Sequence, residues 1–512
     1  MSSSTEELSH VLRDRREKLD ELVRRGIAPF AYGFRRSHLS TAAVAAFEAA
    51  ERDGALAADG HGPAVRVAGR LVAWRGHGKT AFAHAEDDAG RIQLYFRQDV
   101  LGEERFEVLR LIDLGDWVGL SGALFRTRTG EITVRVEECT LLCKSLRPLP
   151  FGKAEVDAET GERIVHSGFA DTEARYRQRY ADLAVHPEVR DVFRARTRVV
   201  SALRAFLDGE GFLEVETPAL QPLYGGATAR PFVTHHNSLE RRMYLRIADE
   251  LYLKRLIVGG FERVYEITHD FRNEGVDRLH NPEFTMLEFY QAFADYTDMM
   301  ELTERLFCHV VETATGGTEV TYGEHRLSFA RPFARIRFMA ALGEALGADP
   351  AALSEAELRK RARQLHVPEL DGAGRGKLMD KLFGALVEPK LVQPTFVMDQ
   401  PIELSPLAKP HRTDPGVVER FELYGMSTEL ANAFSELNDP IDQRARFVAQ
   451  RVLGAAGDDE AHQVDEDYLR ALEYGMPPTG GVGIGVDRLV MLLTNQPSIR
   501  DVILFPVLRE EE

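Results

Sequence analysis

The pattern of hydrophobic and polar residues divides the chain into three parts. Residues 4–26 repeat apolar positions at helical spacing, which predicts an amphipathic helix with a basic opposite face. From about residue 64 to 146, hydrophobic and polar residues alternate in short runs separated by turn signals. Beyond residue 180, helical and strand-like stretches follow each other without regular alternation, which favours an α+β domain.

The alternating part contains five strand-like runs: AVRVAGRLVAW, TAFAHAED, RIQLYFR, DWVGLSGALFR and EITVRVEECTLL. Five short strands suit a small closed barrel of the OB-fold type. Phe82 together with Arg70, Arg75, Lys79 and Gln93 would combine an aromatic ring with cations and an amide. Such a surface can stack on and read single-stranded bases. The pattern leaves open whether Phe82 is instead a core residue.

The stretch 147–172 is rich in Pro, Gly and charge and is typical of a connector. We therefore expect four regions: a helical extension over 1–62, the barrel over 63–147, a linker over 148–180 and a large domain over 181–512.

Composition and charge narrow the class of protein. The chain has 512 residues, 44% of them hydrophobic and 28% charged, which is ordinary for a globular protein and excludes a largely disordered or rod-like one. The net charge is −17, yet residues 1–180 contain 27 basic and 28 acidic residues. This nearly neutral N-terminal part can still present a basic face to phosphates.

Other features predict a cytoplasmic protein. No apolar run approaches the roughly 20 residues of a membrane span. The N-terminus, MSSSTEELSH, has no secretory signal pattern, and an odd count of three cysteines points to a reducing compartment.

Three segments of the large domain have the most specific patterns. They are GEGFLEVETPAL (209–220), FRNEGVDRLHNPEFTMLEFY (271–290) and the glycine-rich GVGIGVDRLVMLL (481–493). The sequence contains neither a GxGxxG nor a GxxxxGK[ST] phosphate loop, which excludes Rossmann and P-loop nucleotide binding.

In these segments the chain resembles the bacterial class II lysyl-tRNA synthetases. Matching motifs extend over nearly the whole chain, including EARYRQRY (173–180), GGATARPF (225–232), MYLRIADELYLKRLIVGGFERV (243–264) and IRDVILFP (499–506). The resemblance implies an α+β class II catalytic domain built on an antiparallel sheet, with an N-terminal five-stranded OB-fold barrel that binds the anticodon.

The resemblance also implies a reaction. Lysine would be activated with ATP as co-substrate and several Mg²⁺ ions, then transferred to the 3′ end of tRNA(Lys), by a homodimer with no DNA or membrane partner. Two alternatives stay open: a divergent paralogue that activates lysine or an analogue for a non-tRNA acceptor, and a non-catalytic binder that senses tRNA or amino acid.

Two arginines are candidates for the adenylation chemistry. A planar guanidinium suits both a carboxylate and a phosphate, so Arg272 is expected to bridge the amino-acid carboxylate and the α-phosphate. Arg488 would meet the γ-phosphate or stack on the adenine opposite Phe284. The resemblance implies this ATP-binding set: Arg272, Glu274, His280, Asn281, Phe284, Glu422 and Arg488.

The resemblance places the metal-binding carboxylates at Glu422 and Glu429. Hard oxygen ligands of this kind suit Mg²⁺. A spacing of seven residues is by itself also compatible with two solvated acids.

The acidic residues Glu250, Glu288 and Glu436 each lie in an apolar or aromatic string, where a carboxylate is unfavourable unless it is paired. The two ammonium groups of lysine would pair them. The resemblance implies this lysine-binding set: Gly226, Glu250, Arg272, Glu288, Tyr290, Asn432, Phe434 and Glu436. The alternative is that Arg246 or Lys254 already neutralises the acids.

For the barrel, the resemblance implies anticodon contacts from Arg70, Phe82, Gln93 and Glu131.

The chain departs from the family pattern at two places in the large domain. His269-Asp270 stands where relatives usually have Arg-Asn or Arg-Gln, and Leu279 stands where many have Arg. An aspartate near phosphates would repel them unless His269 or a metal compensates.

Overall fold

The computed structural model describes residues 2–156, 163–166, 168–368, 370, 372–455 and 463–510. The chain folds into two compact units, Met1–Val185 and His186–Glu512. In the part of the chain that is described, no helix is both long and apolar enough to cross a bilayer.

The first unit is built around a closed barrel. The predicted closed barrel of five strands is confirmed, and its strands follow the order β1-β2-β3-β5-β4. The elements of this unit are α1 (Ser2–Arg24), α2 (Ser40–Arg52), β1 (Ala64–His77), β2 (Thr80–Glu86), β3 (Arg91–Arg97), α3 (Gln98–Leu101), α4 (Glu103–Val108), β4 (Trp117–Arg126), β5 (Ile132–Cys143), β6 (Lys153–Val156), β7 (Arg163–His166), α5 (Thr172–Arg177) and α6 (Arg179–Val185).

Alternate residues of the barrel strands point inward, so that Val67, Leu94 and Val134 are buried in one apolar core. The predicted connector 147–172 contains the two-stranded β6-β7 sheet, and residues 157–162 between these strands lie outside the described residues.

A buried lysine closes the base of the barrel. The Lys144 ammonium donates to Asp113 at 2.6 Å, to Asp116 at 2.8 Å and to the Leu111 carbonyl at 2.8 Å. Three acceptors satisfy its three N–H groups, which is the condition under which a fully buried ammonium is tolerated.

The second unit is built on an eight-stranded sheet of order β16-β17-β18-β19-β20-β13-β12-β8. The central pairs are antiparallel. The helices of this unit are α7 (Pro187–Gly209), α8 (Glu250–Val258), α9 (Tyr296–Thr315), α10 (Phe338–Leu346), α11 (Glu355–Gln364), α12 (Arg375–Leu386), α13 (Pro440–Ala455), α14 (Glu466–Glu473), α15 (Val486–Leu493) and α16 (Ile499–Val502). Its strands are β8 (Leu213–Glu214), β9 (Leu220–Gln221), β10 (Val233–His236), β11 (Arg241–Leu245), β12 (Arg263–Phe271), β13 (Glu283–Ala292), β14 (Glu319–Tyr322), β15 (His325–Ser328), β16 (Ala334–Arg337), β17 (Thr395–Met398), β18 (Arg420–Gly425), β19 (Thr428–Ser435) and β20 (Thr479–Gly485).

The two faces of the sheet have different roles. Phe289 and Ile484 point from the central strands into a core shared with α7, α9 and α15, where Leu203 and Leu306 are also fully buried. The alternate residues of the same strands point to the other face of the sheet, where the polar site lies. The α+β fold with an antiparallel sheet is therefore confirmed.

One predicted helix begins at a different place. The pattern predicts a helix over 288–312, whereas the structure continues β13 to Ala292 and starts α9 at Tyr296. Asp295 fixes that start, because its side chain accepts from the Thr297 and Asp298 backbone amides in a capping box.

Candidate active site

A cavity of about 450 Å³ lies on the polar face of the central strands. It brings together every residue predicted for adenylation and lysine binding. These are Gly226, Glu250, Arg272, Glu274, His280, Asn281, Phe284, Glu288, Tyr290, Glu422, Glu429, Asn432, Phe434, Glu436 and Arg488.

The depth of the cavity comes from a glycine. In the sheet register, Gly481 on β20 lies between Phe434 on β19 and Tyr290 on β13. A Cβ at Gly481 would overlap the side chains of Glu436 and Tyr290. The sequence motif contains this glycine, but Gly481 was not among the predicted site residues. The signal was available, because glycines at 481, 483 and 485 repeat at the strand period.

The next row across the sheet has the same plan, with Gly483 between Asn432 and Glu288. The Tyr290 hydroxyl donates to Glu288 at 2.8 Å, and Arg420 Nε donates to Asn432 Oδ1 at 2.9 Å. This row places an acid and an amide on the cavity floor with fixed orientations.

An internal lysine occupies part of the acidic end. Lys254, fully buried, contacts the carboxylates of both Glu250 and Glu436. Burial raises the pKa of Glu250 and that of Glu436, and the lysine opposes this rise.

The expectation that these acids await only a ligand is therefore wrong for two of the three. Lys254 pairs with Glu250 and Glu436, as the alternative prediction held, although Arg246 pairs with Glu266 at 2.9 Å instead. The cavity nevertheless remains open beside Glu250, Glu288 and Glu436.

Asp270, which departs from the family pattern, belongs to a cluster of three buried acids. Asp270, Asp249 and Glu288 are buried and face one another. Burial raises the pKa of Asp270 to about 6 and that of Glu288 to about 8, and neighbouring acids add to the effect. His269 Nδ1 lies 2.8 Å from Glu283, and the charges of Arg272, Arg246 and, to a smaller extent, His269 oppose the rise in the pKa of Asp270. Sequence reasoning did not single out Asp249.

Two guanidinium groups lie at the other end of the cavity. The Arg272 guanidinium lies over the Phe284 ring at 5.0 Å, and its Nε donates to the Ile247 carbonyl at 3.3 Å. Arg488 donates to the Glu429 carbonyl at 3.0 Å from the first turn of α15. Phe284 therefore faces Arg272 directly, and the expectation that the adenine stacks between Phe284 and Arg488 stays a prediction.

The loop between β12 and β13 supplies the remaining nucleotide-site candidates. Glu274 is exposed on it, and Leu279 lines the cavity beside His280, whose Nε2 lies 3.3 Å from Arg488. The Asn281 side-chain amide already has two hydrogen bonds. Its Nδ2 donates to the Glu283 backbone carbonyl at 2.6 Å, and its Oδ1 accepts from the Val507 backbone amide at 3.2 Å.

Two acids flank the turn between β18 and β19. The Tyr424 hydroxyl donates to Glu422 at 2.8 Å, and Arg420 pairs with Glu422 at 2.6 Å. Arg488 lies 3.4 Å from Glu429, whose pKa is raised by burial and by Glu422. Magnesium is usually held by one or two carboxylates together with substrate phosphates, and this pair of hard oxygen donors fits that requirement.

The barrel presents an aromatic platform. Phe82 is 37% exposed, so it is not a core residue, and it stacks on Tyr95 with ring centroids 4.5 Å apart. Gln93 donates to Glu131 at 2.5 Å, and His84 lies 2.8 Å from the same acid.

The structure places Arg70 away from this platform. Arg70 lies opposite Glu86, where it donates to the Gly115 carbonyl at 2.9 Å and lies over Trp117. Arg75 is the residue directly opposite Phe82. Phe82, Gln93 and Glu131 are thus brought together, and Arg75 is a nearer cation than Arg70.

Comparisons with known proteins agree with this geometry. Residues 171–509 match the model of the class II tRNA synthetases (D, K and N), and residues 65–142 match that of the OB-fold nucleic acid binding domain. The lysine–tRNA ligase of Carboxydothermus hydrogenoformans is 50% identical over 99% of both chains. That of Moorella thermoacetica is 52% identical over 97% of both chains. That of Pelotomaculum thermopropionicum is 51% identical over 100% of this chain and 97% of its own.

The matches extend through the barrel and the catalytic sheet, and the motif residues converge on one cavity. The chain belongs to the lysine–tRNA ligase family of the class II tRNA synthetases.

Proposed function

We propose that the chain is an ATP-dependent lysine–tRNA ligase of the cytoplasm. It converts lysine and ATP into lysyl-adenylate and pyrophosphate, and then transfers the lysyl group to the 3′ end of tRNA(Lys). The observation that carries the proposal is a single cavity with buried acids at one end and two guanidinium groups at the other.

The acidic end recognises the two ammonium groups of lysine. Glu436 and Tyr290 receive the ε-ammonium, while Glu250 and the Gly226 carbonyl receive the α-ammonium. Both glutamates are at most 6% exposed, so their interaction with a cation is strong in this water-poor site. Glu288, Asn432 and Phe434 complete the pocket.

The guanidinium end positions the nucleotide. Arg272 holds the lysine carboxylate and the α-phosphate together, which supplies the proximity that the reaction needs. Arg488, Glu274, His280, Asn281 and Phe284 contact ATP. Glu422 and Glu429 hold Mg²⁺, which neutralises phosphate charge when it is bound.

Activation forms a bond between a lysine carboxylate oxygen and the α-phosphorus, and it breaks the α–β phosphoanhydride bond to release pyrophosphate. In transfer, the 3′-terminal hydroxyl of the tRNA attacks the carbonyl carbon. The bond to the adenylate oxygen breaks, and the AMP phosphate takes the hydroxyl proton. No side-chain base is required, because the preorganised charges stabilise the transition state.

The barrel, assigned to residues 63–147, binds the anticodon through Phe82, Gln93 and Glu131, with Arg70 as a more distant contact. The catalytic domain is assigned to 181–512, after a linker over 148–180 and the extension 1–62. The motif GEGFLEVETPAL joins two chains into a homodimer, which a gel-filtration mass of one chain would contradict.

A panel of amino acids in ATP–pyrophosphate exchange, with and without tRNA, tests the proposal. Lysine should support exchange and arginine or ornithine much less, while tRNA(Lys) should become charged. Glu436→Gln should weaken lysine activation with little effect on ATP binding. Exchange with lysine but no charging of tRNA would point to a different acceptor, and no exchange with any amino acid would point to a binding protein.

A further inference from the structure

A second group of acids lies against the lysine end of the cavity. Asp249 and Asp270 are fully buried and do not line the cavity, whereas Glu288 is 6% exposed and forms part of its wall. One carboxylate oxygen from each residue lies within 4.8 Å of the other two. In the part of the chain that is described, this is the one such trio of potential metal ligands.

Protein groups compensate the charges of this trio only in part. Among the described residues, neither oxygen of Asp249 has a hydrogen-bond partner, although its side chain points into the trio. Asp270 also lacks a hydrogen bond. It lies 3.7 Å from Arg246, a residue already bonded to Glu266 at 2.9 Å, and the charges of Arg272 and Arg246 oppose the rise in its pKa without a direct hydrogen bond. Buried carboxylates without partners are strongly unfavourable, so the trio requires either a cation or bound protons.

Substrate lysine does not supply it. Its two ammonium groups are directed to Glu250 and Glu436, which already share Lys254, and its carboxylate uses the charge of Arg272. Because Asp249 and Asp270 are not on the cavity wall, an ammonium in the cavity cannot touch them. The trio therefore gains no counter-charge from the substrate.

We propose that Asp249, Asp270 and Glu288 form a binding site for a hard divalent cation, separate from Glu422 and Glu429. A point equidistant from three atoms 4.8 Å apart lies about 2.8 Å from each, so a small closure reaches the 2.0–2.6 Å typical of Mg²⁺ or Ca²⁺. The ion enters past Glu288, the member that reaches the cavity, and water completes its coordination.

The site gives the Asp270 departure a role. The cation would add to the partial compensation that Arg272, Arg246 and His269 give this aspartate. It would also fix the orientation of Glu288 in the pocket wall and of the chain at Asp249, next to Glu250. Such a site goes beyond the proposed function, because cation binding there does not depend on which amino acid is activated.

The experiment uses Mn²⁺ alone as the probe, on the full chain stripped with EDTA, without ATP, lysine or tRNA. Free Mn²⁺ is measured by electron paramagnetic resonance during titration. The Glu422→Gln/Glu429→Gln double variant removes the phosphate-linked pair. Asp249→Asn and Asp270→Asn keep the side-chain size and remove one charge each, and Asp414→Asn, at an exposed acid, is the matched control.

The double variant and the Asp414 control should still bind Mn²⁺ tightly, whereas Asp249→Asn and Asp270→Asn should lose that class of site or bind about tenfold more weakly or worse. Mn²⁺ should raise the Tm of the Glu422→Gln/Glu429→Gln variant but not that of the same variant with Asp270→Asn added, and cooperative unfolding of each verifies that the variants fold. Loss of all tight binding in the double variant, or unchanged binding in both aspartate variants, would overturn the proposal. So would a wild-type Tm that ignores Mn²⁺ and rises on acidification, since the trio would then share protons. Amino-acid exchange is a separate readout, so neither result decides the proposed function.

Discussion

Replacing Lys254 by methionine should make the stability of the catalytic unit depend on lysine. Lys254 is the internal cation of Glu250 and Glu436, and all three side chains are nearly inaccessible to water. Methionine retains most of the volume and removes the charge. Two acids are then left to face each other unless free lysine binds and places an ammonium group beside each.

The size of the effect follows from the loss of one partner of a buried ion pair, about 3–5 kcal/mol. We expect the lower end, because burial already raises the pKa of both acids, so they can take up protons when the lysine is lost. With an unfolding entropy of about 2.1 cal/mol/K per residue over His186–Glu512, 3 kcal/mol corresponds to a fall in Tm of about 4 °C.

Thermal unfolding with and without lysine is the assay. At about 100 times the Kd, lysine adds about 2.7 kcal/mol to a wild-type protein, and the variant should gain more because lysine also replaces the missing cation. Lys360→Met, at an exposed lysine of α11, is the matched control and should behave like the wild type. An unchanged Tm for Lys254→Met, or equal stabilisation of both proteins by lysine, would refute this reasoning.

Three further predictions concern other parts of the molecule. Gly481→Ala should raise the KM for lysine roughly 10-fold or more in pyrophosphate exchange, because the added methyl overlaps Glu436 and overpacking typically costs about 1–3 kcal/mol; an unchanged KM would contradict the depth assigned to this glycine. Phe82→Ala should weaken tRNA binding by about 1–3 kcal/mol in a charging titration while leaving lysine-dependent exchange intact, and a loss of exchange would place Phe82 in a different role. Lys144→Met should destabilise the barrel by about 3–5 kcal/mol in denaturant unfolding, because it removes the cation paired with the buried Asp116, whereas an effect below about 1 kcal/mol would show that the backbone amides of Asp113 and Ser145 suffice for this acid.

Much of the candidate site could be predicted from the sequence through the family resemblance, and strand geometry explains why the residues it implied lie on one face. Residues 432 and 434 of β19 and residues 288 and 290 of β13 reach the same cavity for this reason. The engagement of Lys254 could not be predicted in the same way. A glutamate and a lysine four residues apart are as common on a solvated helix face as in a core, and only packing distinguishes the two.

The barrel shows a different limit. Arg70 and Arg75 are both cations of one strand, and alternation alone does not tell which one lies beside Phe82. The regular part of the β1–β2 register pairs Arg75 with Phe82, whereas Arg70 lies beyond a register shift between Leu71 and Ala73, opposite Glu86. No residue pattern in β1 predicts this register shift.

In the two rows that contain Gly481 and Gly483, different strands determine the size of the cavity and its charge. In these two rows β20 contributes Gly481 and Gly483, which have no side chains. The acids and aromatic rings come from β13 and β19 on either side. Room and electrostatic character are thus encoded in different stretches of the gene and can change one at a time. Substitutions in β20 could therefore change the length of amine that fits without changing the preference for cations. Substitutions in β13 or β19 could change that preference without changing the volume of the cavity.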